Sequence, residues 1–547
     1  MHPLEILQGY RLGGGRATVE LQPVDAPGIH IEFDLIRLVE AVREGRVPAV
    51  ILTGTAGDGK TYLAYRILAA LGLDRTVVTE AQSRGGYDRD GIFIDLDLSA
   101  GALSPSRVER LHQVLSVPGR LTLLCANEGK LSELKEKFHN AGWRIPQELL
   151  CINLSRRALV GQEAWGKVLS GVLDGDFWQA AALPATDLLA RNRAWLRDPV
   201  VAENVRRYLL LPYLLGEPIT VRETLSFLAY ALTGELQPGQ TVAAEDRLPY
   251  LLFNTLFSEP GGYVHGGRAA PAEKLLWWLF RFDPGATAHP QIDLRLLTEL
   301  NKLDSTPPEE LLEYWRAKTV AGAGEKSDTP YRQRVARFMT FARRWYALFS
   351  AVGHRAYFPF RYFDAYLDDL RTPAEELERK IPALLKGLNL LLSKGQIEQE
   401  YELNLYHISG GDSMQGAVIY SSRTQIESCD FQLVSDLADD TEQADAAYLE
   451  RYPRRLYLCY TASGAPGKRI RLPISLLLYE VLMGAASPEG GFPATLWAKE
   501  RHMVGRFLRA LNQQVKPGAV VHFTVVPDAG HKFQLVHDSK QHRIVVT

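Results

Sequence analysis

The chain has 547 residues, 46% of them hydrophobic and 23% charged, with a formal net charge of −2. That length exceeds one hydrophobic core and points to about three or four units. The composition excludes wholesale disorder, and the balanced charge removes any global signature of nucleic-acid binding. The four cysteines, Cys125, Cys151, Cys429 and Cys459, lie far apart with no CxxC pair, a pattern that argues against a zinc site or a disulfide framework.

The N-terminal MHPLEILQGYRLGGG lacks a basic region followed by an apolar core, so no signal peptide is expected. No run approaches the ~18 apolar residues of a membrane span, and a cytoplasmic location is expected.

Residues 48–154 alternate short apolar runs with helical patterns, the arrangement of a parallel sheet with crossover helices. Strands are expected over PAVILT (48–53), TVVTE (76–80), GIFIDLDL (91–98), RLTLLCAN (120–127) and LLCINL (149–154), with helices beginning near Lys60, Ser104 and Glu128. Cys125 and Cys151 fall inside these runs and read as small hydrophobes. From about 157 the period becomes helical, as in NVRRYLLLPYLL and in VRETLSFLAYALTG, the latter closed by Gly234 as a C-cap. AKTVAGAGEKSDTP (317–330) reads as a linker or exposed loop. Beyond 400, short alternating runs such as YELNLYHIS, GAVIYSSR and RRLYLCYTA read as strands, interrupted by the helix ISLLLYEVLMG.

The expected organisation is an α/β P-loop NTPase core over 1–155, a helical lid and helical domain over 156–316, the linker or loop at 317–330, a second helical block over 331–399, and a β-rich α+β domain over 400–547.

The chemistry is densest at Gly54-Thr55-Ala56-Gly57-Asp58-Gly59-Lys60-Thr61, which fits G-x-x-x-x-G-K-[ST]. Glycines let such a loop turn its N–H groups toward phosphate oxygens, and the helix that follows adds its positive end. Lys60 is the candidate for the β/γ-phosphates and the Thr61 hydroxyl for Mg²⁺. The motif follows an apolar strand and opens a helix, as a working phosphate loop requires. The cofactors expected are therefore ATP and Mg²⁺.

A neighbouring strand should end in a metal-holding carboxylate. Asp95 and Asp97 in GIFIDLDLSA both qualify, being two apart on one strand face. The glutamate that often follows this aspartate is missing, because Leu96 and Leu98 stand there. Asn127, at the tip of the next strand, is a candidate γ-phosphate sensor and Glu128 a candidate general base, or the pair simply caps a helix. After the fifth strand, Arg156 or Arg157 is a candidate arginine finger or cis phosphate contact, or part of a solvated basic pair. Arg222, at the start of VRETLSFLAY, is a candidate second sensor.

Two further stretches carry basic residues. Arg337, Arg343, Arg344, Arg355 and Arg361 stand among aromatics over 337–363, which suits either base stacking or a buried helix with solvated arginines. Arg454, Arg455, Lys468, Arg469 and Arg471 mark a candidate basic surface. No D…ExK core and no metal-spaced histidine pair is present, and the acid-rich DLADDTEQAD (436–445) reads as a solvated loop.

A five-stranded nucleotide core with an Asn-tipped strand, a following arginine and a helical lid resembles the AAA+/STAND branch of P-loop ATPases. LTGTAGDGKT, CANEGKL, INLSRR and ITVRETLSFLAYALTG, with LFRFDPG, FARRWYALF and LPISLLLYEVLMG, resemble the DptF-type ATPases of bacterial DNA phosphorothioation-dependent restriction. The resemblance implies an ATPase or DNA-translocating role with partner proteins of a defence operon, with double-stranded DNA and a homo-oligomeric arrangement as further candidates. The alternative is a nucleotide-gated scaffold with little turnover that recruits a separate effector.

Overall fold

The computed structural model describes residues 2–11, 28–31, 36–82, 85–117, 119–144, 149–157, 159–180, 182–217, 219–234, 236–258, 274–316, 329–393, 395, 397–409, 418–422, 424–436, 452–461, 469–487, 498–515, 520–526, 533–538 and 543–546. The chain forms two compact units. One comprises Met1–Tyr213, Glu217–Pro359 and Glu442–Tyr452; the other comprises Leu214–Gly216, Phe360–Thr441 and Pro453–Thr547. Most of the expected linker, residues 317–328, lies outside the described residues, as does Lys468.

The first unit is built on strand β1 (Ala49–Thr53), whose AVILT sequence is buried at every position, as a strand covered on both faces must be. Strands β2 (Tyr87–Arg89), β3 (Ile92–Asp95), β4 (Leu121–Cys125) and β5 (Leu149–Asn153) complete a sheet of order β2-β3-β4-β1-β5. Strands β3, β4, β1 and β5 run parallel, and β2 is antiparallel to β3. Side chains alternate across β1: Val50 and Leu52 join one core with Leu63, Ile67, Leu123 and Ile152. Ala49 and Ile51 join the other with Phe93, Leu111, Leu134 and Phe138. Helices α1 (Lys60–Ala70), α2 (Arg75–Gln82), α3 (Pro105–Leu115) and α4 (Glu128–Asn140) connect the strands.

Two expectations are corrected. TVVTE is helical, not a strand, and lies within α2. Asp74 Oδ1 accepts from Thr76 N at 2.7 Å, satisfying an amide at the helix start, and burial is one-sided, with Val78 buried and Val77 44% exposed. A short β-branched run cannot be separated from a helix segment by pattern alone. The fifth strand is instead β2, joined to β3 by Asp90 (φ 52°) and Gly91 (φ 76°). An Asp-Gly pair with both φ values positive is a tight-hairpin turn, and it makes the sheet mostly rather than wholly parallel.

Helical segments follow the sheet, among them α5 (Val221–Thr233), closed by Gly234 at φ 55°. The aromatic-basic stretch covers the end of the long helix Thr329–Phe349, the helix Ala351–Tyr357 and the start of the helix Phe363–Arg371. Two of its arginines are paired inside the unit: Arg343 with Asp293 (2.7 Å) and Arg344 with Asp283 (2.5 Å). The stretch is helical and packed, but these two guanidiniums are committed to carboxylates rather than solvated.

The second unit contains strands β6 (Glu402–Asn404), β7 (His407–Ser409), β8 (Val418–Ser422), β9 (Gln425–Glu427), β10 (Phe431–Ser435), β11 (Leu456–Thr461), β12 (Arg469–Ile474), β13 (Val520–Val526), β14 (Phe533–Asp538) and β15 (Arg543–Val546). They form antiparallel sheets of order β10-β11-β12 and β15-β14-β13-β8-β7, with β6 and β9 as a separate pair. No helix among the described residues is long and apolar enough to cross a membrane.

Two apolar helices, Ile381–Leu392 and Leu476–Ala486, pack together in this unit. Gly387 permits the close approach, because a Cβ there would lie 2.4 Å from the Leu482 carbonyl oxygen. Gly387→Ala is expected to cost about 1–3 kcal/mol. Gly484→Ala, whose Cβ meets nothing nearer than 3.9 Å, is expected to be neutral or slightly stabilising. Thermal denaturation of the two variants checks the contrast.

Candidate functional site

The site forms where β1 ends and α1 begins. Gly54, Gly57 and Gly59 take φ values of 139°, 96° and 86°, a backbone path that side chains disfavour. At Gly54 a Cβ would lie 2.6 Å from Asp58 Oδ2, and at Gly57 it would lie 2.9 Å from Arg222 Cβ. Gly59 is the N-cap of α1, and no side chain caps that helix. The first-turn amides of α1, which have no partner within the helix, thus open into a glycine-lined turn.

Asp58 holds the turn together. Its buried carboxylate oxygen Oδ2 accepts from Thr55 N (2.6 Å), Thr55 Oγ1 (3.0 Å) and Ser155 Oγ (2.6 Å). Thr55 N also reaches Ser155 Oγ at 3.1 Å, so the loop is tied to the turn after β5. Arg157 lies behind this network. It is 7% exposed, and burial lowers its guanidinium to about 10, with the Asp58 carboxylate opposing the shift. Arg157 is therefore neither a solvated arginine nor one presented to a neighbouring subunit; β5 and the turn after it draw it inward. Arg156 beside it is half-buried.

Lys60 folds back over the loop, donating from Nζ to the carbonyls of Gly54 (3.0 Å) and Thr55 (2.7 Å). Partial burial lowers its pKa, opposed by Asp58, Cys125 and Asp97, while Arg222 adds to the lowering. Lys60 thus feels both carboxylates, Asp58 and Asp97, and the Arg222 cation. Thr61 is half-buried and Ala56 is exposed on the loop.

The two candidate carboxylates separate sharply. Strand β3 ends at Asp95, so the shared strand face expected for Asp95 and Asp97 does not form. Asp95, 1% exposed, pairs with Arg107 at 2.9 Å and accepts from Gln82 Nε2 (2.7 Å) and Asp97 N (3.1 Å). Its bonds to Gln82 and Arg107 hold the end of β3 to α2 and α3. Asp97 lies past the strand end, is exposed, and accepts from Ser99 N (3.0 Å) and Ala100 N (3.1 Å) through Oδ1. Asp97 acts on Lys60 electrostatically, opposing the fall in its pKa.

Asn127 and Glu128 stand at the tip of β4, the neighbour of β1. Asn127 Oδ1 caps α4 through Lys130 N (2.8 Å), and its backbone N donates to Ser99 Oγ (3.1 Å). Glu128 Oε1 accepts from Asn153 Nδ2 (2.7 Å). Both residues are exposed. From the helical region, α5 delivers Arg222, whose backbone N donates to Gly57 O at 3.1 Å. Thr220 and Glu223 form the capping box that fixes this end of α5.

Sequence reasoning missed Ser155, Asn153, Gln82, Arg107 and Thr220. Each is a polar residue in ordinary surroundings: the sheet order brings Ser155 to the loop and Asn153 to Glu128, Gln82 and Arg107 meet Asp95 at the β3 end, and Thr220 arrives with α5. Among the described residues no cluster of three or more His, Cys, Asp or Glu side chains could hold a metal unaided. Thr61 and Asp97 supply hard oxygen donors suited to Mg²⁺, which binds through one or two protein ligands plus phosphate oxygens.

No protein-family model matches the chain, and comparison with curated proteins and with solved structures yields no match.

Two outcomes follow from this geometry. Arg107→Ala leaves the buried Asp95 carboxylate without its cation and is expected to cost about 3 kcal/mol; Asp95→Asn in the same chain should recover much of it, as read by urea denaturation. Gly57→Ala is expected to cost roughly 1–3 kcal/mol through its strained φ and to displace the start of α5. Gly45→Ala, at φ 71° with nothing within 4 Å, carries the backbone cost alone. Hydrogen exchange across residues 220–224 distinguishes them.

Proposed function

We propose that the glycine-rich turn is a P-loop and that the chain is an ATP-binding, Mg²⁺-dependent NTPase acting as a nucleotide-state switch. The observation that carries this reading is the uncapped start of α1 behind three left-handed glycines, with the Lys60 ammonium held on the loop carbonyls. Amides, ammonium and helix end together favour a polyphosphate.

In this reading the amides of Gly57, Gly59 and Lys60 bind phosphate oxygens, and Lys60 exchanges its carbonyl partners for the β/γ-phosphates. Thr61 and Asp97 would hold Mg²⁺, which neutralises charge on the phosphates when bound. Asp95 keeps the β3 end rigid as a positioning residue, and Asp58 keeps the loop preformed. Asn127 lies at the strand tip from which a γ-phosphate can be sensed. Arg222 reads loop position through its bond to Gly57 O, which links nucleotide state to the helical region. From the motif resemblance we further propose that this switch works in a DNA-modification-dependent restriction assembly of a bacterial cytoplasm, with partner proteins and DNA.

A second reading, a nucleotide-gated scaffold with little turnover, is favoured by one observation: the Asn127 side-chain amide oxygen and the Glu128 carboxylate oxygen Oε1 are already engaged by Lys130 N and Asn153 Nδ2. A base occupied in this way orients water poorly.

Titration with a fluorescent ATP analogue, with and without Mg²⁺, tests the reading. Wild type should bind, and Lys60→Ala should lose about 10- to 100-fold, the worth of a charge-assisted hydrogen bond. Asp97→Ala should abolish the Mg²⁺ dependence while leaving metal-free binding in place. No binding by wild type would sink the proposal. Binding with negligible phosphate release, with or without duplex DNA, selects the scaffold.

A further inference from the structure

Helix α6 (Ala498–Gln514) lies in the second unit and buries Glu500, Val504, Phe507 and Leu511, spaced for one helical face. It packs on β12, and the Phe507 ring lies 6.5 Å from that of Phe431. The opposite pole presents Lys499, His502, Arg506, Arg509 and Gln513, all exposed. His502, Arg506, Arg509, Ala510 and Gln513 line an open hollow of ≈ 420 Å³.

The pole carries one sign of charge. The only carboxylate on α6 is Glu500, which is on the buried face, 3.4 Å from Ser475 Oγ. Among the described residues no ion pair joins Lys499, His502, Arg506 or Arg509 to an acid. Solvated helix faces usually interleave both signs, because like charges three or four apart cost roughly 0.2–0.5 kcal/mol per pair. From Lys499 to Arg509 the stripe runs about 15 Å along the helix.

The chemistry narrows the partner. Single strands are held by aromatic platforms, and protein interfaces centre on apolar or aromatic anchors; among the described residues the pole has no Phe, Tyr or Trp and no large exposed apolar side chain. Duplex phosphates are met by Arg and Lys, while base edges in the major groove, about 12 Å wide, take Arg and Gln. We propose that the outward pole of α6 is a contact surface for B-form duplex DNA, with Arg506 and Arg509 on phosphates and Gln513 facing the groove.

The proposal extends the reading of the chain as a DNA-associated switch, but it stands on α6 alone, so its test uses no nucleotide. Fluorescence anisotropy of the full chain with a labelled duplex of about 20 base pairs is followed from about 50 to 200 mM salt, the range over which phosphate contacts weaken strongly. Arg506→Ala/Arg509→Ala is expected to weaken binding about tenfold or more and to flatten the log–log salt slope by about 1.8, two phosphate contacts' worth. Arg506→Lys/Arg509→Lys should retain most of the slope, and matching thermal melts establish that both variants are folded. The proposal is overturned if wild type fails to bind the duplex, if the double alanine variant keeps the wild-type slope, or if a duplex RNA of the same sequence or polyglutamate binds more tightly. DNA binding with this slope in a chain that binds no ATP would leave the surface standing while the nucleotide reading falls.

Discussion

A carboxylate buried beneath a glycine turn must find donors, because an unpaired charge in that position costs several kcal/mol. Asp58 finds three, two from Thr55 in its own loop and one from Ser155 beyond β5. Much of the site depends on that match. It sets the path from Gly54 to Lys60, excludes a side chain at Gly54, and fastens the loop to the turn that carries Arg156 and Arg157. The buried Arg157 guanidinium lies near enough to Asp58 for the carboxylate to oppose its loss of basicity.

The same loop is gripped from its other side. The Gly57 carbonyl accepts from the Arg222 backbone at the start of α5, an end whose amides are otherwise served by the Thr220–Glu223 capping box. A ligand that moves the Gly57 peptide must either carry α5 with it or break that bond. Coupling of this kind runs through one hydrogen bond and a rigid helix, a contiguous physical route. It requires no long-range rearrangement of the sheet, whose central strand β1 is buried throughout.

Two aspartates two residues apart illustrate how position decides role. Asp95 ends β3 inside the sheet, so it needs Arg107 and Gln82, and it is spent on holding the strand end. Asp97 has left the strand and meets solvent on the side where it affects Lys60. Asn127 and Glu128 are held in a related way, the first capping α4 through Lys130 N and the second tied to Asn153 at the end of β5.

The glycine-lysine motif, the apolar strands β1, β4 and β5, the helices beginning near Lys60, Ser104 and Glu128 and the C-terminal strands were legible in the sequence, because hydrophobic period and glycine placement are local properties. The Asp90-Gly91 turn carried a readable hairpin signal that was overlooked, while TVVTE was ambiguous, since five β-branched and polar residues fit a strand or one turn of helix equally well. Ser155, Asn153, Gln82 and Arg107 were not legible as site residues. They reach the loop and the β3 end only because β1 lies between β4 and β5 with β3 next in order, and strand order is set by how both faces of the sheet are buried together. The sequence by itself determined that a glycine-rich turn follows a buried strand. Tertiary structure decided which carboxylate stays exposed, which arginine is buried and which helix grips the loop, because burial and hydrogen-bond partners are properties of the packed sheet rather than of any single segment.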